Sequence, residues 1–334
     1  MFTITRIKLS SALVSIAIIA SNLGGCASDR AVIGQANQVH DELKPTVITD
    51  PELAGYLQSV GDRIISAARE MNQQNYGPEA TRQEDNSWMF AQGMRFHFVN
   101  SKTLNAFTTG GEHMYIYSEL FQKCSSEDEL AAVMAHEYGH IYGRHVHKGM
   151  NRQHTTLAAA LGAGVAGAAV GGKDHGVEYG LGAAGATMAA GQFIGMGYTR
   201  KDEAEADELG FNFYTRAGWD PKRFDDFFQQ MIDLGYDTTP EMMSDHPSLA
   251  SRVEAAKQRA AALPPDASQW RRAPVANEAR FKQLQARSAE LGKSLPADKS
   301  MENAQALLSA FNNCFEPGGS PEQKNARENL AKPR

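Results

Sequence analysis

Apolar residues first recur at helical spacing at Leu53, Leu57, Val60, Ile64 and Ile65, directly behind Asp50-Pro51. Asp at the cap and Pro at the first helical position make that pair a helix start, so a helix is predicted from residue 51. Residues 27–49 before it read as a tether and entry segment, and residues 72–90 are polar and predict a loop. Arg95-Phe96-His97-Phe98-Val99 alternates with period two and predicts a strand. Met114-Tyr115-Ile116-Tyr117, after the Gly110-Gly111 turn, predicts a second strand, expected at a sheet edge. The pattern then becomes helical from about Ser126 to His147. Acids at Glu127, Asp128 and Glu129 suit the positive end of that helix. The run Leu130-Ala131-Ala132-Val133-Met134-Ala135 has no polar face, so the helix is expected to be buried.

Residues 155–197 are dominated by Ala and Gly. They predict two close-packed helices joined at Lys173-Asp174-His175, with a membrane-inserting hairpin, marked by Gly191 and Gly195, as the alternative. Further helices are predicted over 221–236, 248–262, about 276–291 and about 300–313, and the polar tail from Glu316 is expected to be disordered.

The amino terminus changes the picture of where the chain works. Arg6 and Lys8 precede an apolar run from Leu9 to Ala20, which is too short for a confident membrane span and reads as a targeting segment. Leu23-Gly24-Gly25-Cys26 resembles a bacterial lipobox, which makes Cys26 the expected lipidated terminus. Ala27 and Ser28 follow, with no Asp at the second position, so the expected place is the periplasmic side of the outer membrane of a Gram-negative host. The expected organisation is a signal peptide (1–25), a tether (26–49), a catalytic domain (50–264), a helical extension (265–315) and a tail (316–334). Losing Arg6 and Lys8 takes the formal charge from −6 to −8, which argues against a nucleic-acid partner. The remaining cysteines, Cys124 and Cys314, are an even pair: a disulfide in an oxidising compartment, or two separate buried thiols.

The chemistry lies in His136-Glu137-Tyr138-Gly139-His140. Residues i and i+4 share a helix face, so His136 and His140 can offer two imidazoles to one zinc ion per chain, with Glu137 beside them as acid–base. Two unrelated histidines on a surface helix is the plainer alternative, and the apolar flank argues against it. A third histidine at the H-E-x-x-H-x-x-G-x-x-H spacing fails: Gly143 fits, but the last position is Val146, flanked by His145 and His147. Glu203 and Asp207, again four apart, offer a carboxylate ligand and a hydrogen-bond acceptor for a ligand histidine. The competing reading of that stretch is a solvated acidic helix, which is what Asp202 and Glu205 are expected to be.

These residues, with E-x-x-A-D at Glu203–Asp207, Asp245-His246-Pro247, Arg252 and Asn105-Ala106-Phe107-Thr108-Thr109-Gly110-Gly111, resemble metallopeptidase family 48, the gluzincins of HtpX, BepA and CAAX-prenyl-protease type. The resemblance covers about residues 50–260, and Thr109 departs from the Pro frequent there. It implies an α+β, mainly helical, zincin-like metallopeptidase fold with a small sheet packed on the motif helix. It implies zinc on His136, His140 and Glu203, and Glu137 as proton carrier. His246 then either donates to the oxyanion or locks the zinc as a fourth ligand, and Arg252 supports the site or pairs with Asp207. The implied function is a membrane-tethered zinc endopeptidase acting on unfolded or misassembled envelope proteins, with envelope assembly machinery as a candidate partner. The alternative is a chaperone-like or scaffold lipoprotein with a latent zinc site.

Overall fold

The computed structural model describes residues 28–311 except 83–86, 92, 154, 156–192, 194–196 and 237–246. The expected signal peptide, Cys26, nearly all of the Ala/Gly-rich stretch, Cys314 and the tail therefore lie outside the described residues.

Where an entry segment is expected, the chain instead forms helix α1, Asp29–Leu43. Ser28 caps it, and Val32, Ala36, Val39 and Leu43 form a fully buried stripe. The spacing of four, three and four is that of a single helix face, so the correction was encoded in residues that look polar on average. Helix α2, Pro51–Tyr76, starts as predicted: the Leu53 N–H donates to Asp50 Oδ1 at 3.0 Å and Pro51 sits at the first position. It runs further than predicted, into the stretch read as loop.

Strands β1 (Arg95–Val99), β2 (Ala106–Thr108) and β3 (His113–Tyr117) form a sheet in the order β1-β3-β2. β3 pairs in parallel with β1, Arg95 opposite His113, and antiparallel with β2, Ala106 opposite Ile116. The strand expected at the edge is thus the central one. Its parallel partner β1 is separated from it in the chain by β2, a pairing that local sequence does not reveal. The outer side of β1 is engaged by residues 46–48, through a bridge from Val47 to Val99, so β2 is the edge on the other side.

Short helix α3, Ser118–Lys123, leads to α4, Glu127–Tyr142, which carries the motif. The helix expected to reach His147 breaks at Gly143 and Arg144, where Arg144 has φ of 56°, and resumes over 145–153. Helices α5 (Arg200–Ala217), α6 (Asp226–Asp233), α7 (Leu249–Ala261), α8 (Glu278–Lys293) and α9 (Lys299–Ala310) complete the described chain.

α4 packs on β2 on one side and along α5 on the other, and every residue from Leu130 to Ile141 is buried. α8 and α9 close over the same core: Phe281 meets Tyr56 and Phe121 edge-on, and Phe311 stacks on Phe107 with 4.1 Å between centroids. The buried Glu127 carboxylate accepts from the backbone N–H of Val275 and Ala276, both at 2.6 Å, and from Trp219 Nε1 at 3.0 Å. Those charge-assisted bonds bolt the start of the C-terminal helices to the first turn of α4. Cys124 is buried at the end of α3, and burial pushes its thiol pKa up. The architecture is the expected one, mainly helical with a small sheet against the motif helix. Among the described residues no helix is long and apolar enough to cross a membrane.

Candidate metal centre

α4 presents His136 and His140 one turn apart, with Nε2 atoms 3.1 Å from each other. α5 brings Glu203 opposite them: Oε2 lies 3.5 Å from His136 Nε2, and Oε1 lies 3.7 Å from His140 Nε2. A tetrahedral ion with bonds of about 2.1 Å sets its donors roughly 3.4 Å apart, so the three groups already stand at coordinating separation. Two imidazoles and one carboxylate are also the donor set that suits zinc. All three residues, and Glu137 with them, are 0% exposed.

Two glycines allow this approach. A Cβ on Gly139 would lie 2.6 Å from the Ala206 carbonyl oxygen, and one on Gly210 would lie 2.9 Å from the His136 backbone. Small residues on both facing surfaces let the helix backbones touch. The start of α5 is fixed by a reciprocal cap: Thr199 Oγ1 accepts from Asp202 N–H at 3.1 Å, and Asp202 Oδ2 accepts from Thr199 N–H at 2.9 Å. Asp202, also paired with Arg152 at 2.8 Å, is buried and is no solvated acid, contrary to expectation. Its T-x-x-D spacing was the signal.

The outer nitrogen of each motif histidine is held. Asp207 Oδ1 lies 2.8 Å from His136 Nδ1, which leaves Nε2 facing Glu203. Arg252, from α7, grips Asp207 with Nε and Nη2 at 2.8 and 2.7 Å and lies over the Phe228 ring at 4.1 Å. Burial alone would push the Asp207 carboxyl up, but the Arg252 guanidinium and the His136 contact overrule it and hold the group at about 2. Asp207 is therefore an anion at neutral pH, with Arg252 its partner rather than a surface arginine. Burial, then the neighbouring His136 and His145, push His140 well below the usual histidine range, so its ring is neutral.

Three contacts were not anticipated. His140 Nδ1 is 2.9 Å from His145 Nδ1, and His145 Nε2 is 3.4 Å from Glu205. Tyr198 stacks flat on the His140 ring at 3.9 Å. The His145 contacts depend on the turn at Gly143-Arg144 and the Tyr198 contact on the entry to α5, where no periodic pattern operates. His147 turns the other way, to Asp29 of α1 at 2.8 Å. His246 lies outside the described residues.

A model of peptidase family M48 matches residues 51–260. The putative beta-barrel assembly-enhancing protease of Vibrio cholerae is 30% identical over 225 residues, 66% of this chain and 41% of that protein. The beta-barrel assembly-enhancing protease of Escherichia coli K12 is 28% identical over 258 residues, 73% of this chain and 47% of that protein. Metalloprotease LoiP of the same organism is 29% identical over 171 residues, 51% of this chain and 64% of that protein. The chain thus spans less than half the length of the first two relatives.

Proposed function

The chain belongs to peptidase family M48, and on that footing we propose that it is a zinc endopeptidase of the bacterial envelope, cleaving unfolded or misassembled polypeptides. The observation that carries the reading is the convergence of His136 Nε2, His140 Nε2 and the Glu203 carboxylate within 3.1–3.7 Å of one another. Zinc bound there supplies Lewis acidity and lowers the pKa of water towards about 7. Glu137, beside His136 and equally buried, takes the proton of the attacking water and passes it to the leaving amine. Asp207 and His145 keep the two imidazoles oriented through their outer nitrogens. β2, the edge strand against α4, would receive an extended chain by backbone pairing once its buried residues Ala106–Thr108 are uncovered. Such pairing reads little sequence and fits substrates that have lost their fold. The names of two relatives point to beta-barrel assembly as the setting, and the lipobox-like Leu23–Cys26 to a lipid anchor, which we place at the outer membrane.

A latent centre in a chaperone-like or scaffold lipoprotein is the second reading. The zero exposure of His136, Glu137, His140 and Glu203 favours it, because a peptide reaches them only after something moves aside.

Cleavage of unfolded casein by the purified chain tests both. Glu137→Gln is expected to lose at least about a thousandfold in turnover while keeping stoichiometric zinc, since it removes the proton carrier and no ligand. Zinc-independent cleavage, or none by the wild type under any condition, would overturn the protease reading. His246→Ala in the same assay separates its two expected roles: turnover falls for an oxyanion donor and rises for a lock.

A further inference from the structure

A second group of histidines lies outside the M48 centre. His40 on α1, His97 on β1 and His113 on β3 come together where α1 crosses one face of the sheet. One nitrogen of each ring lies within 4.8 Å of one nitrogen of both others. His97 Nε2 and His113 Nδ1 are 2.9 Å apart. The His40 and His113 rings stack with centroids 4.1 Å apart.

We propose that His40, His97 and His113 form a second metal site, for a first-row transition ion such as zinc, copper or nickel, that clamps α1 to the sheet. Two of the three rings, His113 and His40, have an outer nitrogen held as ligand histidines usually are. His113 Nε2 donates to Asn37 Oδ1 at 3.1 Å, which leaves Nδ1 with its lone pair towards His97. His40 Nδ1 is 3.1 Å from the Tyr115 hydroxyl, which leaves Nε2 as its donor. Burial also pushes His97 down to about 3 and His113 to about 4, so these rings are neutral at physiological pH. Three neutral imidazoles select borderline ions over calcium or magnesium. The donor nitrogens, all within 4.8 Å of one another on half-buried rings, stand near the roughly 3.4 Å separations of a tetrahedral site. Charge is mixed: Arg95 and Lys44 oppose a dication, Asp41 favours it, and Asp41 already neutralises Lys44 at 2.6 Å.

Metal analysis of the full chain decides it. Protein stripped with EDTA, re-equilibrated with zinc and gel-filtered is expected to carry two ions per chain. His40→Gln and His113→Gln are each expected to carry one and still to cleave casein, with unchanged circular dichroism confirming the fold. His136→Ala/His140→Ala is expected to keep one, and its copper-loaded form to show nitrogen hyperfine coupling by electron paramagnetic resonance. If His40→Gln and His113→Gln bind as much zinc as the wild type, or the copper signal shows no nitrogen ligation, the site does not exist. That failure would leave the His136–His140–Glu203 centre untouched.

Discussion

Asp207 shows how one residue joins stability to the metal centre. It is buried and charged, and that is tolerable only because Arg252 supplies two hydrogen bonds and a full positive charge. Truncating Arg252 would strand the carboxylate. Arg252→Ala is expected to cost about 3–5 kcal/mol in urea denaturation, the usual consequence of breaking a buried pair. It should also weaken zinc binding 10- to 100-fold in a chelator competition, because His136 loses its fixed orientation. Arg252→Lys should recover only part of both, since an ammonium cannot make the two-pronged contact. Wild-type stability in Arg252→Ala would show that Asp207 does not depend on it. The grouping of His136 with His140, and of Glu203 with Asp207, was legible because a helix repeats its face every three to four residues; that the two pairs meet was implied only by the family resemblance. His145 and Tyr198 were not, because they reach His140 through a turn and a helix entry, where no repeat exists.

Among the elements, α4 and α5 make the centre by their closeness. Gly139 faces the Ala206 carbonyl, and an added methyl has no room there. Gly139→Ala is expected to lose about 1–3 kcal/mol in thermal unfolding, as overpacking does. It should also lose zinc, since parting the helices carries Glu203 away from the two rings. A variant with full zinc content would show that the helices adjust without parting. Capped elements such as α2 and α5 announce themselves through Asp50-Pro51 and Thr199-x-x-Asp202. α1 was hidden because its stripe is one residue wide among polar neighbours. The central position of β3 was hidden because its parallel pairing with β1 skips over β2 in the chain and leaves no mark on either strand.

Across the whole molecule, the histidines set the response to acid. His97 and His113 are held at about 3 and about 4 by burial, against about 6.5 for an unfolded ring. Between those values the unfolded chain binds protons that the folded chain refuses, so folding weakens as pH falls. Metal-free protein in EDTA is expected to hold its melting temperature above pH 6.5 and to lose it progressively from there towards pH 3. His113→Gln should flatten that slope; a melting temperature constant from pH 7 to 4 would contradict it.

The first residues of α1 carry a further consequence. Asp29 binds Arg144 and lies 2.8 Å from His147, immediately after the motif helix. Cys26 stands three residues earlier, a reach of about 10 Å at full stretch. With a diacylglyceryl group on that cysteine, the chain would have almost no slack. If the proposed anchor and activity both hold, the leaflet would lie within that reach of α1, and the chain would meet its substrates close to the bilayer surface.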